Sequence, residues 1–425
     1  MRRMAGADEY KTSIRCTIIE AALEYFISIL VSGAYLARIT GALGFSDSLT
    51  GVLSSFVSLG CLFQLGSVVL LKNVRSAKKP VLAGYTVNQL LFVLVYLLPV
   101  LPMAAAVKTV LFLVCFCGAF AISNLIIPAK TDWFLGLVDD RSRGMFTAKK
   151  EIVSLIGGMA FSFGMGRMID TLEAAGNTPG AFIAGAVTVF VLMVLHKFSI
   201  LPVKEKARAA GAPGEKADIR ALLKDGMFLR IVLVFVLWNI AMYSAVPFYG
   251  AYQIKELGFS MTFVSILSIA YAVVRASCSP AMGRLADRKG FGSMVRLCFA
   301  IAALGFFVNI FTVPANGKVF YMLYYCLNAI SMAGINSSIA NLIFDHVHGP
   351  NRRSALAINS AVGGASGFLA TCCMSAVVAR IQQQGNALFG LHMYPAQFAS
   401  AVAFGITALL VAYVHFAVVR PSRGK

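Results

Sequence analysis

Apolar stretches of about 20 residues, the length a helix needs to cross the hydrocarbon core of a bilayer, alternate with short polar ones along nearly the whole chain. The pattern predicts twelve spans: 15–38, 49–71, 81–101, 106–128, 150–169, 180–201, 229–252, 258–282, 294–314, 318–344, 355–379 and 397–419. These runs are too long and too continuously apolar for barrel strands. Lipid offers backbone amides no partners, so helices are expected throughout. The fold class is all-α integral membrane.

The longest polar interruption, Val203 to Arg230, follows the sixth span. Its first half, with Gly211, Pro213 and Gly214, reads as a flexible linker. Its second half sets Ile219, Leu222 and Leu223 against Arg220 and Lys224, the pattern of a short amphipathic helix on a membrane surface. Two pseudo-symmetric six-helix bundles are expected, 1–202 and 229–425, joined by 203–228. Faint repeats agree. Asn124-Leu-Ile126 recurs as Asn341-Leu-Ile343, both at the inner end of a fourth span, and a basic pair follows each, Arg141 with Arg143 and Arg352 with Arg353. At the same offset Gly283 corresponds to Gly66. Two halves of this kind are the plan of many alternating-access transporters.

The chain is 59% hydrophobic and 13% charged, yet its net charge is +19. Of its 37 Lys and Arg, six stand singly in alternate loops: Arg38, Lys108, Arg167, Lys255, Lys318 and Arg380. Arg275 lies inside a span, and the rest crowd the tails and intervening loops. An odd number of spans would scramble that alternation. The positive-inside rule places both termini in the cytoplasm. The basic charge is thus a topology signal and a contact for anionic lipid, and a nucleic-acid partner is not expected. All nine cysteines fall in or at the inner edge of spans, so no disulfide is expected. Glu20 and Glu24 make the first apolar run too polar for a cleaved signal, so it is expected to remain as span 1.

Three charged side chains bear the cost of the bilayer interior, roughly 2.5–3.5 kcal/mol each on insertion scales. Glu20 and Glu24 stand i,i+4 on one face of span 1, which continues through Ser28, Val31 and Tyr35. Arg275 on span 8 lies about 12 Å along the helix from Gly283, and Glu24 about 13–14 Å from Arg15. The matching depths predict a Glu24–Arg275 ion pair between the halves. It would serve as a proton-coupling carboxylate, an anion-binding guanidinium or a state-dependent bridge. The plainer alternative has Glu20 snorkelling and Arg275 held locally by Tyr271 and backbone carbonyls.

Between spans 8 and 9 stands Gly283-Arg-Leu-Ala-Asp287-Arg288-Lys-Gly290. It resembles the G-x-L-A-D-R-x-G loop of the major facilitator superfamily, and with the span count and linker the resemblance covers essentially the whole chain. It implies a cytoplasmic gate motif, Gly283, Asp287, Arg288 and Gly290, with Asp287 docking on a helix start in the other half near Lys149 to Ile152. Glycines at both ends would permit a tight turn. The plain alternative is a charged turn. The matching first-half hairpin, Gly66 to Pro80, has no acidic residue, and span 5 lacks the G-P-x-x-G-G pattern of the family's antiporters.

In this superfamily spans 1, 4, 7 and 10 usually line the central cavity. The resemblance thereby points to Phe120 and Asn124, to Asn239 and Tyr243 before a Pro247 kink, and to Tyr325, Asn328, Met332 and Asn336 on one face of span 10. Amides and aromatic rings of this kind bind polar organic solutes. Each amide taken singly also reads as an interhelical hydrogen bond.

No catalytic constellation is evident. The five histidines scatter near span ends, and His346-x-His348 lacks a third ligand. A G-x-x-x-x-G-K-[ST] loop is missing, which leaves ATP-driven transport unsupported. No metal, no cofactor and no enzyme activity are expected. The expectation is a monomeric secondary transporter of the cytoplasmic membrane, moving a small organic solute by alternating access. Proton-coupled uptake of a polar solute such as a sugar leads, with H+ as coupling ion. Efflux of an amphiphilic drug or metabolite, and a non-transporting receptor or scaffold, stay open.

Overall fold

Ser32 and Gly33 break the first apolar run. In the computed structural model, which describes residues 10–56, 58–60, 63, 76–138, 143–205, 219–347, 351–388 and 391–419, α1 (Lys11–Leu30) stops there and α2 (Gly33–Ala42) begins. The Ser32 hydroxyl donates to the Ser28 carbonyl at 2.7 Å. Gly33 takes φ +52°, a left-handed conformation that favours glycine. The expected continuous face from Glu20 to Tyr35 is therefore cut at the break, and Tyr35 donates its hydroxyl to the Ser162 carbonyl at 3.1 Å. Gly44, at φ +76°, ends α2. The Ser46 side chain then accepts from Leu49 N at 3.2 Å and caps α3 (Asp47–Ser54).

Next come α4 (Lys78–Leu97), α5 (Ala105–Gly136), α6 (Arg143–Ala174) and α7 (Thr178–Ile200). The short α8 (Ile219–Lys224) forms where an amphipathic helix is expected, with Leu222 buried but Leu223 exposed. Asp225 caps α9 (Gly226–Ala251) by accepting from Met227 N and Phe228 N at 2.9 and 3.2 Å. Past Pro247 that helix loosens into a π turn, Tyr252–Glu256. The chain continues with α10 (Met261–Lys289), α11 (Phe291–Ile310), α12 (Gly317–His346), α13 (Asn351–Gln383) and α14 (Pro395–Val414). A two-residue antiparallel ladder, Ala387–Leu388 with Leu391–His392, precedes α14.

Ten helices among the described residues are long and apolar enough to cross a membrane. The two other predicted spans are the first, divided at Ser32-Gly33, and the second, described only in part. The protein is an all-helical, multi-pass membrane protein on a twelve-span plan. Two helices overrun their predicted ends. α5 continues through Pro128 to Gly136, about 48 Å at about 1.5 Å per residue. α10 carries on through Gly283 to Lys289, so only Gly290, at φ +80°, turns the chain into α11. The turn expected between two glycines is thus narrower, and a Cβ at Gly283 would meet nothing within 4 Å.

Packing divides the chain into two compact units: residues 1–45, 60–211 and 260–265 in one, 46–59, 212–259 and 266–425 in the other. In the first unit α1 packs on α6 and α7, and α4 on α5 and α7. The start of α10 belongs to this unit because Asp170 of α6 caps it, accepting from Met261 N at 2.9 Å, Thr262 N at 2.8 Å and the Thr262 hydroxyl. In the second unit α11 packs on α12 and α14, and α9 on α13 and α14. There α3 lies on α9 and α13, with Asp47 taking hydrogen bonds from Lys255 and, at 2.7 Å, from Gln382.

The eight described cysteines are all free. Expectations placed on Cys61, Gly66, Gly211, Pro213, Gly214 and His348, and on the side chains of Arg141, Arg143, Ile219, Arg220, Arg352 and Arg353, lie outside the described residues.

Candidate functional site

Four helices of the first unit turn polar groups onto one another. α1 supplies Glu20 and Glu24, one turn apart, and α4 supplies Tyr85 and Gln89 at the same spacing. α5 adds Lys130 and α7 adds His196. The Lys130 ammonium bridges the carboxylates, donating to Glu20 Oε1 at 3.0 Å and to Glu24 Oε2. It also lies 4.7 Å from the centre of the Tyr85 ring, where the ring face attracts a cation. The Tyr85 hydroxyl donates to Glu24 Oε1 at 2.6 Å.

His196 closes the deep end. Its Nε2 is 3.2 Å from Glu20 Oε1 and its Nδ1 is 3.0 Å from the Gln89 amide nitrogen. Glu20, Lys130, His196, Tyr85 and Gln89 are all buried, whereas the Glu24 side chain is 32% exposed. Glu20 Oε2 has no hydrogen-bond partner. An unpaired buried oxygen carries a desolvation cost of about 1–3 kcal/mol, more when charged.

The polar set is sealed at its basic end. Val81, Ile126, Trp133, Phe134, Leu137, Ile200 and Val203 pack with Tyr85 into an apolar plug. Polar ties pin the chain around it. Trp133 Nε1 donates to the Lys204 carbonyl at 3.0 Å, and Lys78 Nζ to the carbonyls of Leu201 and Val203 at 2.6 and 3.0 Å. Glu205 accepts from Ser76 Oγ at 2.6 Å and Lys78 N at 2.8 Å, covering the start of α4. Among the cluster's members, Glu24 is the one open to small molecules and protons.

Charge balance describes what this set can do. With an ionised lysine, two carboxylates and a neutral imidazole, the interior holds one uncompensated negative charge. A single proton neutralises it. Buried net charge is expensive, so the cluster has a strong reason to take up or release that proton as its surroundings change.

Of the expected charge set, the structure joins Glu20 and Glu24 but gives them Lys130 as their cation. Arg275, the expected partner, belongs to the second unit, where its carbonyl accepts the Ser279 hydroxyl at 2.8 Å. The depth match misled because it compared only residues inside predicted spans. Lys130 follows the predicted end of span 4, and only the continuation of α5 past Pro128 brings it in. His196, counted as one histidine near a span end, was likewise missed, as were Tyr85 and Gln89. A usable signal existed in Asn88-Gln89, two adjacent amides in the middle of an apolar run.

The expected cavity residues are divided. In the first unit Phe120 packs on Phe92 and Phe116, and Asn124 bonds the carbonyl of Phe120 at 2.9 Å. In the second, Asn239 bonds the Phe235 carbonyl at 2.7 Å, and the Tyr243 carbonyl accepts from Thr371 at 2.7 Å. The Tyr325 hydroxyl accepts from Gln253 at 3.0 Å, and its ring meets Tyr271, Tyr321 and Tyr324. Asn328 and Met332 are half-buried and Asn336 is exposed. Asp287 and Arg288 are exposed at the end of α10.

Among solved structures the chain is similar to a variant of the nucleoside transporter NupG, at 14% identity and TM-score 0.72, covering 96% of this chain and 100% of that one. A D-xylose-proton symporter also matches at 14% identity and TM-score 0.72, with 96% and 98% covered. So does a bacterial homologue of the iron transporter ferroportin in an inward-facing state, at 12% identity and TM-score 0.67, again with 96% and 98% covered. At such identities the likeness shows the fold alone. No curated protein matches the sequence. The family model described as Major Facilitator Superfamily matches residues 17–371, most of the length. With ten described spans, a matching fold and this family match, the chain belongs to the major facilitator superfamily and is a membrane transporter, not an enzyme.

Proposed function

We propose that this transporter takes up a small polar organic solute across the cytoplasmic membrane in symport with protons, with Glu24 as the proton-coupling carboxylate. The protein works as a monomer, with both termini in the cytoplasm and its basic loops against anionic headgroups. The observation that carries the reading is the half-exposed Glu24 at the mouth of a buried network one proton short of neutrality. Titration at Glu24 changes the hold of Lys130 and Tyr85 on α1, and so couples protonation to the packing of α1 against α4 and α5. Coupling works when the two protonation states favour different conformations. A solute with several hydroxyl or amide groups suits the mixed aromatic and amide character of Phe120, Asn124, Asn239, Tyr243, Tyr325, Asn328, Met332 and Asn336. Likeness in fold to a D-xylose-proton symporter is consistent with that choice.

The test is uptake of labelled sugars and other polar solutes into proteoliposomes, with and without an inward proton gradient. Wild type is expected to accumulate one of them above equilibrium. Glu24→Gln is expected to lose accumulation while retaining counterflow exchange. Equal accumulation by both proteins would remove Glu24 from coupling.

A further inference from the structure

Glu24 has both carboxylate oxygens already served, one by the Tyr85 hydroxyl and one by Lys130. A proton added there must displace one of those donors. The deep end of the network is built differently. His196 points Nε2 at Glu20 Oε1 and Nδ1 at the amide of Gln89. An amide presents two donors on one side and an acceptor on the other, and a half-turn exchanges them. With its nitrogen toward Nδ1, Gln89 suits a neutral imidazole whose Nε2–H donates to Glu20. With its oxygen toward Nδ1, it suits an imidazolium that donates from both ring nitrogens. Protonation at His196 thus sacrifices no hydrogen bond, and it supplies the positive charge the buried set lacks.

We infer that His196, paired with Glu20 and set by Gln89, is the group that holds the cluster's exchangeable proton, with Glu24 as its entrance. The inference rests on the proton-coupled reading above and moves the resting place of the proton inward from Glu24. One N–H bond forms at Nδ1 when the proton arrives from water on the Glu24 side, and the same bond breaks when it leaves. Glu20 stays a carboxylate throughout, and no other bond changes. The groups facing this pair come from each neighbouring helix: Glu24 from α1, Tyr85 and Gln89 from α4, and Lys130 from α5, which shares Glu20 Oε1 with the histidine. α6, which also packs on α7, places no titratable partner on His196 among the described residues. Burial of the ring edge-on against Tyr85, with centroids 5.0 Å apart, keeps it in one orientation across the titration. His196 is therefore a positioning and proton-holding residue; nothing in its surroundings makes it a solute contact.

The experiment is nitrogen NMR of the full chain labelled with 15N-histidine in nanodiscs, at pH values from 5 to 8, the range in which histidine ordinarily changes charge. The His196 signal is identified by its loss in His196→Gln, and by its loss in His196→Asn should the first variant fail to fold. In wild type the signal is expected to pass from a neutral Nε2–H pattern to imidazolium as the pH falls. In Glu20→Gln its midpoint is expected to move by about one pH unit, the scale set by losing one adjacent charge. Replacing Gln89 by Leu is expected to keep it neutral across the range. A wild-type signal that stays neutral at every pH, or a midpoint indifferent to Glu20→Gln, overturns the inference. Proteoliposome uptake separates the two readings. Gradient-driven accumulation with a silent His196 refutes the inference alone, and a titrating His196 without such accumulation refutes the coupling reading alone.

Discussion

Lys130 is the residue on which the buried network depends. It is the cation shared by two carboxylates, and Glu20 has no exposure at all. Removing one member of a buried ion pair leaves an uncompensated charge and costs about 3–5 kcal/mol. Lys130→Met is expected to lower the thermal unfolding temperature in detergent sharply, and adding Glu20→Gln to recover part of the loss. Equal melting of single and double variants would show that Lys130 acts by packing alone. The two glutamates were legible in the sequence because a carboxylate in an apolar run has few innocent explanations. Lys130 was not, because a lysine just beyond a span reads as a snorkelling loop charge. Periodicity does not say how far a helix continues past its apolar part. Gln89 and His196 were invisible as partners for another reason. Their meeting depends on how α4 and α7 are rotated against α1, which no single helix encodes.

At the scale of elements, helix ends carry the information. Asp170 supplies α10 with the cap its own sequence lacks, taking two backbone amides and a hydroxyl. Asp170→Ala is expected to cost about 1–2 kcal/mol, in the range of lost N-caps. Hydrogen exchange at Met261 and Thr262 should then quicken while the middle of α10 stays protected. Unchanged exchange at these amides would show that the cap is not what orders the end. The break between α1 and α2 makes a second case. Gly33→Ala places a Cβ in a left-handed conformation, with an expected cost of about 1–2 kcal/mol read from thermal melting. The Ser-Gly step was visible in the sequence, yet a membrane helix can pass such a pair unbroken, and the cut becomes certain only where the backbone turns. The reach of α10 through Gly283 was hidden similarly. A glycine marks where a turn is tolerated, and local helix propensity with hydrogen bonding decided otherwise.

For the whole molecule, topology makes a prediction independent of the site. With the basic loops inside, a cysteine at Lys318 is expected to react with a membrane-impermeant maleimide in intact cells, and one at Arg288 only after permeabilisation. The reverse labelling would invert the assigned direction of transport. Span number, the orientation expected from charge, and the family were available from the chain alone. Each follows from a property summed over many residues: apolar length against bilayer thickness, the side on which lysine and arginine collect, and a glycine-bounded charged motif between two spans. The chemistry of the site was not available in that way. Glu20, Gln89, Lys130 and His196 are scattered over 177 positions of chain on four helices, and their pairing depends on side-chain directions fixed only when those helices pack. The sequence by itself determined that charge would be carried into the membrane on the first helix; the tertiary structure alone decided which cation and which imidazole would meet it there, because contacts between helices depend on rotation and depth that no local pattern records.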